Sequence, residues 1–417
     1  MNGLFVYGDF DWLESPLLIG QLGYESLRGS DSYSFCFDEN WLATYGNLML
    51  SADINNYVGT QYTQLGKDIF GCFSDVLPDR WGRTLLNRRE QIQAAEEKRP
   101  VRRLSSFDYL TRIDDFSRMG GFRFAAERGG EFINSKENFR IPPLTDIRTL
   151  VVASMALERS EEKNLLPEKK WIQQLVLPGT SLGGARPKAG VVDESGKLYM
   201  AKFPSRKDDY DVALWEHHSH LLAKACGVVA AETRVVNSGA KYHALLSLRF
   251  DRTHSGRRIH FASAMTLLGL SDGCDAKTGN GYLDIVDFIL QHCCDVSENL
   301  SQLFRRVAFN IAIGNSDDHF RNHGFVLTSR GWTLSPAYDM NSTLNNCQSL
   351  LINSSTNDAS LQILQDSCGE YMIAKNDACA IIEEVRQGVR QWETLAISLG
   401  ISKRERNMFA QVYNKTI

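Results

Sequence analysis

Apolar residues recur with a short period near the start of this chain and with a helical period towards its end. Leu4-Phe5-Val6-Tyr7 is an apolar run closed by Gly8-Asp9, and residues 32–37 alternate polar with aromatic side chains. Both patterns predict strands. After Pro78, the spacing of Trp81, Leu85, Leu86 and Ile92 predicts a helix, and Met119-Gly120-Gly121-Phe122-Arg123-Phe124 predicts a short strand behind glycines. Residues 135–143 are polar and end in Pro142-Pro143, which predicts a linker and a boundary near residue 140. Helices are expected over 146–158 and 168–177. Val191-Val192 and residues 198–203 flank the turn Asp193-Glu194-Ser195-Gly196, a β-hairpin pattern. Residues 211–226 predict a helix stopped by Gly227, with strands over 233–236 and 243–250 on either side of Asn237-Ser238-Gly239. From Tyr282 onward helices dominate. Leu300, Leu303, Phe304, Val307, Ala308, Ile311 and Ala312 make one apolar face, and Ala378, Ile381, Ile382, Val385, Val389 and Trp392 make another.

The pattern describes an α+β protein in three segments. These are a β-rich N-terminal subdomain (1–140), a strand-rich lobe with a glycine loop (141–252) and a mostly helical lobe (253–417). Two lobes with a cleft between them are expected.

Composition narrows the class without naming a reaction. The 417 residues are 43% hydrophobic and 23% charged with a net charge of −4, so no global basic field points to direct nucleic-acid or membrane binding. The basic stretch from Arg80 to Arg103 reads as a solvated helix face. Nine cysteines without a C-x-x-C pair fit reduced thiols better than a disulfide framework or zinc site. The start of the chain lacks a signal-peptide pattern, and no apolar run reaches the roughly 18 residues of a membrane helix. A cytoplasmic protein is expected.

The chemistry concentrates after the helix that ends at Ile313. Gly314 would close that helix, and Asn315-Ser316-Asp317-Asp318-His319-Phe320-Arg321-Asn322-His323-Gly324 follows as a polar loop. Phe325-Val326-Leu327-Thr328 and Trp332-Thr333-Leu334 then pair as a hairpin, and the chain reaches Ser335-Pro336-Ala337-Tyr338-Asp339. Helix, D-x-x-x-x-N loop, hairpin and Asp is the order of a kinase catalytic loop and its metal-binding aspartate. One carboxylate orients or deprotonates the attacking hydroxyl. An amide oxygen and a second carboxylate suit Mg²⁺, which takes hard oxygen ligands. The bland alternative is a surface loop with capping Asp and Asn. Another is a hydrolytic metal cluster of Asp317, Asp318, His319 and His323. Upstream, Gly183 and Gly184 permit close approach of backbone to phosphate, and Arg186 and Lys188 add positive charge. No Walker A motif occurs. Lys202 sits on the second strand of the predicted hairpin, where a kinase carries its phosphate-binding lysine, and Glu216 is its candidate partner. Backbone groups of Leu248, Arg249 and Phe250 are candidates for the adenine.

Five segments together resemble the HipA-type serine/threonine kinases of bacterial toxin–antitoxin systems. They are Ser181-Leu182-Gly183-Gly184-Ala185-Arg186-Pro187-Lys188-Ala189, Lys202-Phe203-Pro204, Arg249-Phe250-Asp251-Arg252, the Asn315 to Gly324 loop, and Ser335-Pro336-Ala337-Tyr338-Asp339. Phe73-Ser74-Asp75-Val76-Leu77-Pro78-Asp79-Arg80-Trp81-Gly82-Arg83 and Met119 to Phe124 are similar to the family's N-terminal subdomain. The resemblance implies a two-lobed kinase-like fold, with ATP and Mg²⁺ as cofactors. It implies Asp317 as catalytic base and Asn322 and Asp339 as metal ligands. Ser181, Gly183, Gly184, Ala185, Arg186, Lys188, Lys202, Leu248, Arg249, Phe250, His319, Asn322, Tyr338 and Asp339 would line the ATP site. It implies autophosphorylation at Ser181, a HipB-like helix-turn-helix antitoxin partner, contact with DNA only through that antitoxin, and a protein substrate from translation such as an aminoacyl-tRNA synthetase. Asp339-Met340-Asn341 replaces the usual Asp-Phe-Gly of protein kinases, and Asn315-Ser316-Asp317 replaces His-Arg-Asp. A small-molecule or lipid kinase of related fold, and a nucleotide-binding regulator acting through a DNA-binding partner, are the alternatives.

Overall fold

The computed structural model describes residues 2–27, 30–64, 66–135, 141–176, 184, 186–343 and 347–414. The chain forms two compact units, Met1–Asp208 with Asn237–Ala262 and Asp209–Val236 with Ser263–Ile417. The expected boundary near 140 therefore falls inside one unit. Residues 209–236, expected in the middle segment, belong with the helical C-terminal part.

The first unit opens with β1 (Asn2–Gly8), β2 (Leu17–Leu27) and β3 (Ser30–Phe37), followed by α1 (Glu39–Tyr45) and β4 (Thr60–Tyr62). Next come α2 (Gly71–Ser74), α3 (Arg80–Glu96), α4 (Ser106–Arg112) and β5 (Phe122–Ala125). The five strands form an antiparallel sheet in the order β4-β3-β2-β1-β5. The alternation in β3 works as the sequence requires: Tyr33, Phe35 and Phe37 are buried. Phe73 and Phe124 join this core, with ring centroids 5.6 Å (Phe35–Phe73) and 6.0 Å (Phe73–Phe124) apart. Asp79 caps α3 by accepting the amide of Gly82 at 2.8 Å. The basic stretch from Arg80 to Arg103 lies on the exposed side of α3 and the turn after it, and three of its eight basic residues pair with carboxylates among the described residues. Arg99 bonds Glu90 and Glu97, Arg102 bonds Asp108, and Arg88 lies 3.5 Å from Glu161.

The same unit continues with α5 (Ile147–Glu162), α6 (Lys169–Val176), β6 (Lys188–Val192) and β7 (Leu198–Lys202). The predicted hairpin forms in the expected register, from Lys188↔Lys202 to Val192↔Leu198. Asp193 holds its turn by accepting the amides of Ser195 (2.9 Å) and Lys197 (3.0 Å). The chain then contributes α7 (Val212–Ala225) and β8 (Thr233–Val236) to the second unit. It returns with β9 (Ala244–Leu248), which pairs with the free edge of β7, and with β10 (His260–Ser263).

The Arg249-Phe250-Asp251-Arg252 segment leaves β9 and locks the first unit internally. Asp251 is fully buried and accepts from Arg249 (2.6 and 2.5 Å), Arg252 (2.7 Å) and the amide of Gly120 (2.8 Å). Burial alone would push its carboxyl up, but the two guanidiniums win and hold it well below the usual carboxylate range. Gly120 has φ +70°, and a Cβ there would stand 3.0 Å from the amide of Phe261. That explains a glycine where the strand signal begins.

The second unit completes with α8 (Ala264–Leu267), α9 (Tyr282–His292), α10 (Val296–Ala312), β11 (Gly324–Thr328) and β12 (Gly331–Leu334). Then follow α11 (Leu361–Asp366), α12 (Lys375–Val389), α13 (Trp392–Ser398) and α14 (Lys403–Tyr413). Helix α10 packs against α9 and α12 and buries the face read from the sequence, Leu300, Leu303, Phe304, Val307, Ala308 and Ile311. All nine cysteines are free thiols, and among the described residues no helix is long and apolar enough to cross a membrane.

Candidate active site

Helix α10 ends in a glycine cap that delivers the polar loop. Gly314 takes φ +65°, and the amides of Gly314 and Asn315 donate back to the carbonyls of Ile311 (3.2 Å) and Asn310 (2.8 Å). The next residues diverge in fate. Asp317 is exposed, and among the described residues its carboxylate has no hydrogen-bond or ion-pair partner. Asp318 is 3% exposed and accepts from Tyr282 Oη (2.6 Å), Asn310 Nδ2 (2.7 Å) and His323 Nε2 (2.8 Å). Burial pushes the Asp318 carboxyl up, yet the His323 and Tyr282 contacts outweigh it and keep it below its ordinary value. Asn322 is nearly buried, and its Nδ2 donates to the Asp317 carbonyl at 2.9 Å. That bond closes the loop and does not use the Asn322 Oδ1. His319 is half-buried, and its carbonyl accepts the Asn322 amide at 2.8 Å.

The downstream arm is bonded to the same loop. Strands β11 and β12 pair from Phe325↔Leu334 to Thr328↔Gly331. The Ser335 carbonyl accepts from buried Arg306, and Ala337 bridges to Ala230 through bonds with Val229 and Ala231. Tyr338 Oη donates to the Arg321 carbonyl at 2.6 Å, which ties the residue before Asp339 to the Arg321–Asn322 end of the loop. Asp339 adopts φ +57°, a left-handed conformation uncommon outside glycine, and accepts from Asn341 Nδ2 at 3.2 Å. Thr343 gives both its amide (2.9 Å) and its hydroxyl (2.8 Å) to the Gly314 carbonyl, and its hydroxyl stands 2.6 Å from Ser316 Oγ. Ser349 Oγ donates to the Ser316 carbonyl at 2.7 Å. Tyr282, Asn310, Thr343 and Ser349 were not singled out from the sequence. Each is a hydroxyl or amide on an otherwise ordinary element, and only the fold brings it under the loop.

In the first unit Lys202 is half-buried at the end of β7, opposite Lys188 and Leu245. Glu216 is buried in the second unit on α7. Lys188, expected to add positive charge beside the glycine stretch, is engaged within the first unit. Its side chain is 2% exposed, with Nζ 2.9 Å from Asp79 Oδ2 and 3.4 Å from the Gly184 carbonyl. Trp81 Nε1 donates to the Lys188 carbonyl at 3.0 Å. Burial pushes the Asp79 carboxyl up against the pull of that ammonium. Lys188 thus ties the base of the glycine stretch to α3 rather than presenting an open charge. Arg186 is engaged by both oxygens of Asp208, at 3.0 and 2.6 Å. The Arg249 amide donates to the Leu198 carbonyl at 2.9 Å and its guanidinium is spent on Asp251, so only its carbonyl is left for an adenine. Leu248 pairs with Tyr199, and Phe250 follows half-buried. Ser181, Gly183 and Ala185 lie outside the described residues.

The family model for the HipA-like C-terminal domain matches residues 180–392, just over half of the chain. The chain belongs to the HipA family. A relative named serine/threonine-protein kinase toxin HipA, from Shewanella oneidensis, is 25% identical over 224 residues, covering 48% of this chain and 50% of that protein. The chain spans about half the length of the curated relatives it matches. The solved HipA of Shewanella oneidensis MR-1, in complex with HipB and operator DNA, superposes with a TM-score of 0.68 at 18% identity, covering 99% of this chain and 95% of that one. The HipA fold therefore extends through the N-terminal region that the family model leaves unmatched.

Within this HipA fold the donor set fits a small hard cation. Asn322 offers an amide oxygen and Asp339 a carboxylate, and Mg²⁺ typically takes one or two protein oxygens and completes its shell with water and phosphate. A hydrolytic cluster fits poorly, because His323 is committed to Asp318 and, among the described residues, no three or more His, Cys, Asp or Glu side chains are grouped so that they could hold a metal ion.

Proposed function

We propose that this HipA-family chain is an ATP- and Mg²⁺-dependent serine/threonine protein kinase. The observation that carries this reading is the exposed carboxylate of Asp317, without a partner among the described residues, at the head of a loop whose Ser316, Asp318 and Asn322 are held by hydrogen bonds. A general base needs a rigid mount and an accessible oxygen, and that contrast provides both. Asp317 accepts the proton of the attacking serine or threonine hydroxyl as its oxygen bonds to the γ-phosphorus of ATP and the bond to the ADP oxygen breaks. Asn322 and Asp339 hold the divalent ion, which when bound neutralises charge on the phosphates. Lys202 carries the phosphate-directed charge, and Leu248, the Arg249 carbonyl and Phe250 meet the adenine, with His319 and Tyr338 flanking the nucleotide. The family resemblance supports an autophosphorylation site at Ser181, a HipB-like antitoxin through which DNA is contacted, and a translation protein as substrate.

The test is label transfer from [γ-³²P]ATP to protein in a lysate by the purified chain. Asp317→Asn is expected to reduce transfer by ~10²-fold or more while ATP binding persists. Transfer within a few-fold of wild type would remove Asp317 from the role. Transfer to small alcohols or lipids instead of protein would favour a related small-molecule kinase.

A further inference from the structure

Helix α14 lies beyond the residues matched by the family model, yet it touches both arms of the candidate active site. Tyr413, in its last turn, is fully buried. Its ring stacks on Trp392 with centroids 4.8 Å apart and planes 9° from parallel, and it meets His218 edge-on at 5.9 Å. Its hydroxyl lies 2.7 Å from Ser342 Oγ, three residues after Asp339. The preceding residue, Val412, lies against Gly314, where a Cβ would come within 2.4 Å of Val412 Cγ1. Ser342 adjoins Thr343, which in turn bonds the Gly314 carbonyl and Ser316. One turn of α14 therefore contacts the segment that enters Asp317 and the segment that leaves Asp339. Towards its other end, Glu405 accepts the Asp211 amide at 3.0 Å, fixing α14 to the start of α7.

The choice of side chain at 413 is informative. A buried phenol needs a partner for its hydroxyl, and a phenylalanine would fill the same stack without that requirement. The partner is a serine on a backbone stretch that starts from a left-handed aspartate. Asp339 pays for φ +57° with strain, so its carboxylate holds direction only if the residues after it are fixed. We propose that Tyr413 and Ser342 are positioning residues for Asp339, and that α14 is thereby part of the divalent-metal site of this protein. This rests on the metal-dependent kinase reading above.

The experiment uses the full chain with Mn²⁺ as spectroscopic probe, titrated by electron paramagnetic resonance with a non-hydrolysable ATP analogue present. Asp339→Asn defines the specific signal. Tyr413→Phe keeps the ring, and Ser342→Ala keeps the backbone. Each is expected to weaken Mn²⁺ binding by about threefold to tenfold, the range for losing one ordinary hydrogen bond. The double variant is expected to be no weaker than the worse single one, because both remove the same contact. Analogue affinity without metal should not change. Lower thermal stability with unchanged Mn²⁺ affinity would overturn the inference and leave α14 as packing alone. Wild-type protein with no Mn²⁺ binding sensitive to Asp339→Asn would overturn it as well. Intact, Tyr413-dependent metal binding without phosphoryl transfer would instead overturn the kinase reading alone.

Discussion

Two adjacent aspartates show how far residue identity alone can be read. Asp317 and Asp318 are equivalent in sequence, and spacing to Asn322 favours Asp317. Only the fold explains what Asp318 does: it gathers Tyr282, Asn310 and His323 beneath the loop. This yields opposite expectations for the same chemical change. Asp317→Asn should leave stability within about 0.5 kcal/mol, because an exposed carboxylate without partners has little to lose. Asp318→Asn places an amide donor where three donors converge, and should cost ~2–4 kcal/mol in urea denaturation. Equal stability of the two variants would show that the buried network is not formed. Sequence could not separate them because burial of a loop carboxylate depends on α9 and α10, which reach it from 36 and 8 residues away.

Elements were legible where one period ran for several turns or where a turn had its own chemistry. Helix α10 declared its face, its glycine stop and the loop after it, and the β6–β7 hairpin declared its Asp193 turn. What stayed hidden was the partner of each element. Lys188 illustrates this, since its place after a glycine stretch suggests a phosphate ligand, whereas strand β6 directs it to Asp79 on the cap of α3. The two roles predict different measurements. As a buried pair, Lys188→Met or Asp79→Asn alone should cost ~3–5 kcal/mol by leaving one polar partner stranded, while the double variant recovers much of that loss. As an open phosphate ligand, Lys188→Met would weaken ATP binding without loss of stability, and Asp79→Asn would be silent. Denaturation of the three variants, with ATP titration of each, separates the roles.

At the scale of the whole molecule, the chain threads its two units alternately, and the buried groups that titrate between pH 7 and pH 5 differ between them. No single segment of sequence announces this, since 209–236 crosses into the helical unit and 237–262 crosses back. The second unit buries neutral imidazoles. Burial lowers His218 to about 4, and it also lowers the half-buried His217. Unfolded histidines take up protons near pH 6.5 and these folded ones do not, so acid favours the unfolded state of this unit from about pH 6.5 down towards 4. The first unit carries one such group, His260, lowered to about 3 by burial. It also carries carboxyls shifted the other way. Burial raises Asp114 to about 6, and raises Asp79 and Asp11. A raised carboxyl binds its proton in the folded state first, so it adds stability as pH falls from about 6 to about 4 and offsets His260. Between pH 7 and pH 5, the second unit should therefore lose stability at up to about 1.4 kcal/mol per pH unit for each proton excluded, while the first changes little. Hydrogen exchange resolved by peptide at the two pH values reads this directly. Peptides of α7, α10 and α12 should lose protection before those of β1–β3, and His218→Phe should flatten the pH response in the second unit only. Earlier opening of the first unit would contradict the assignment of its buried carboxyls.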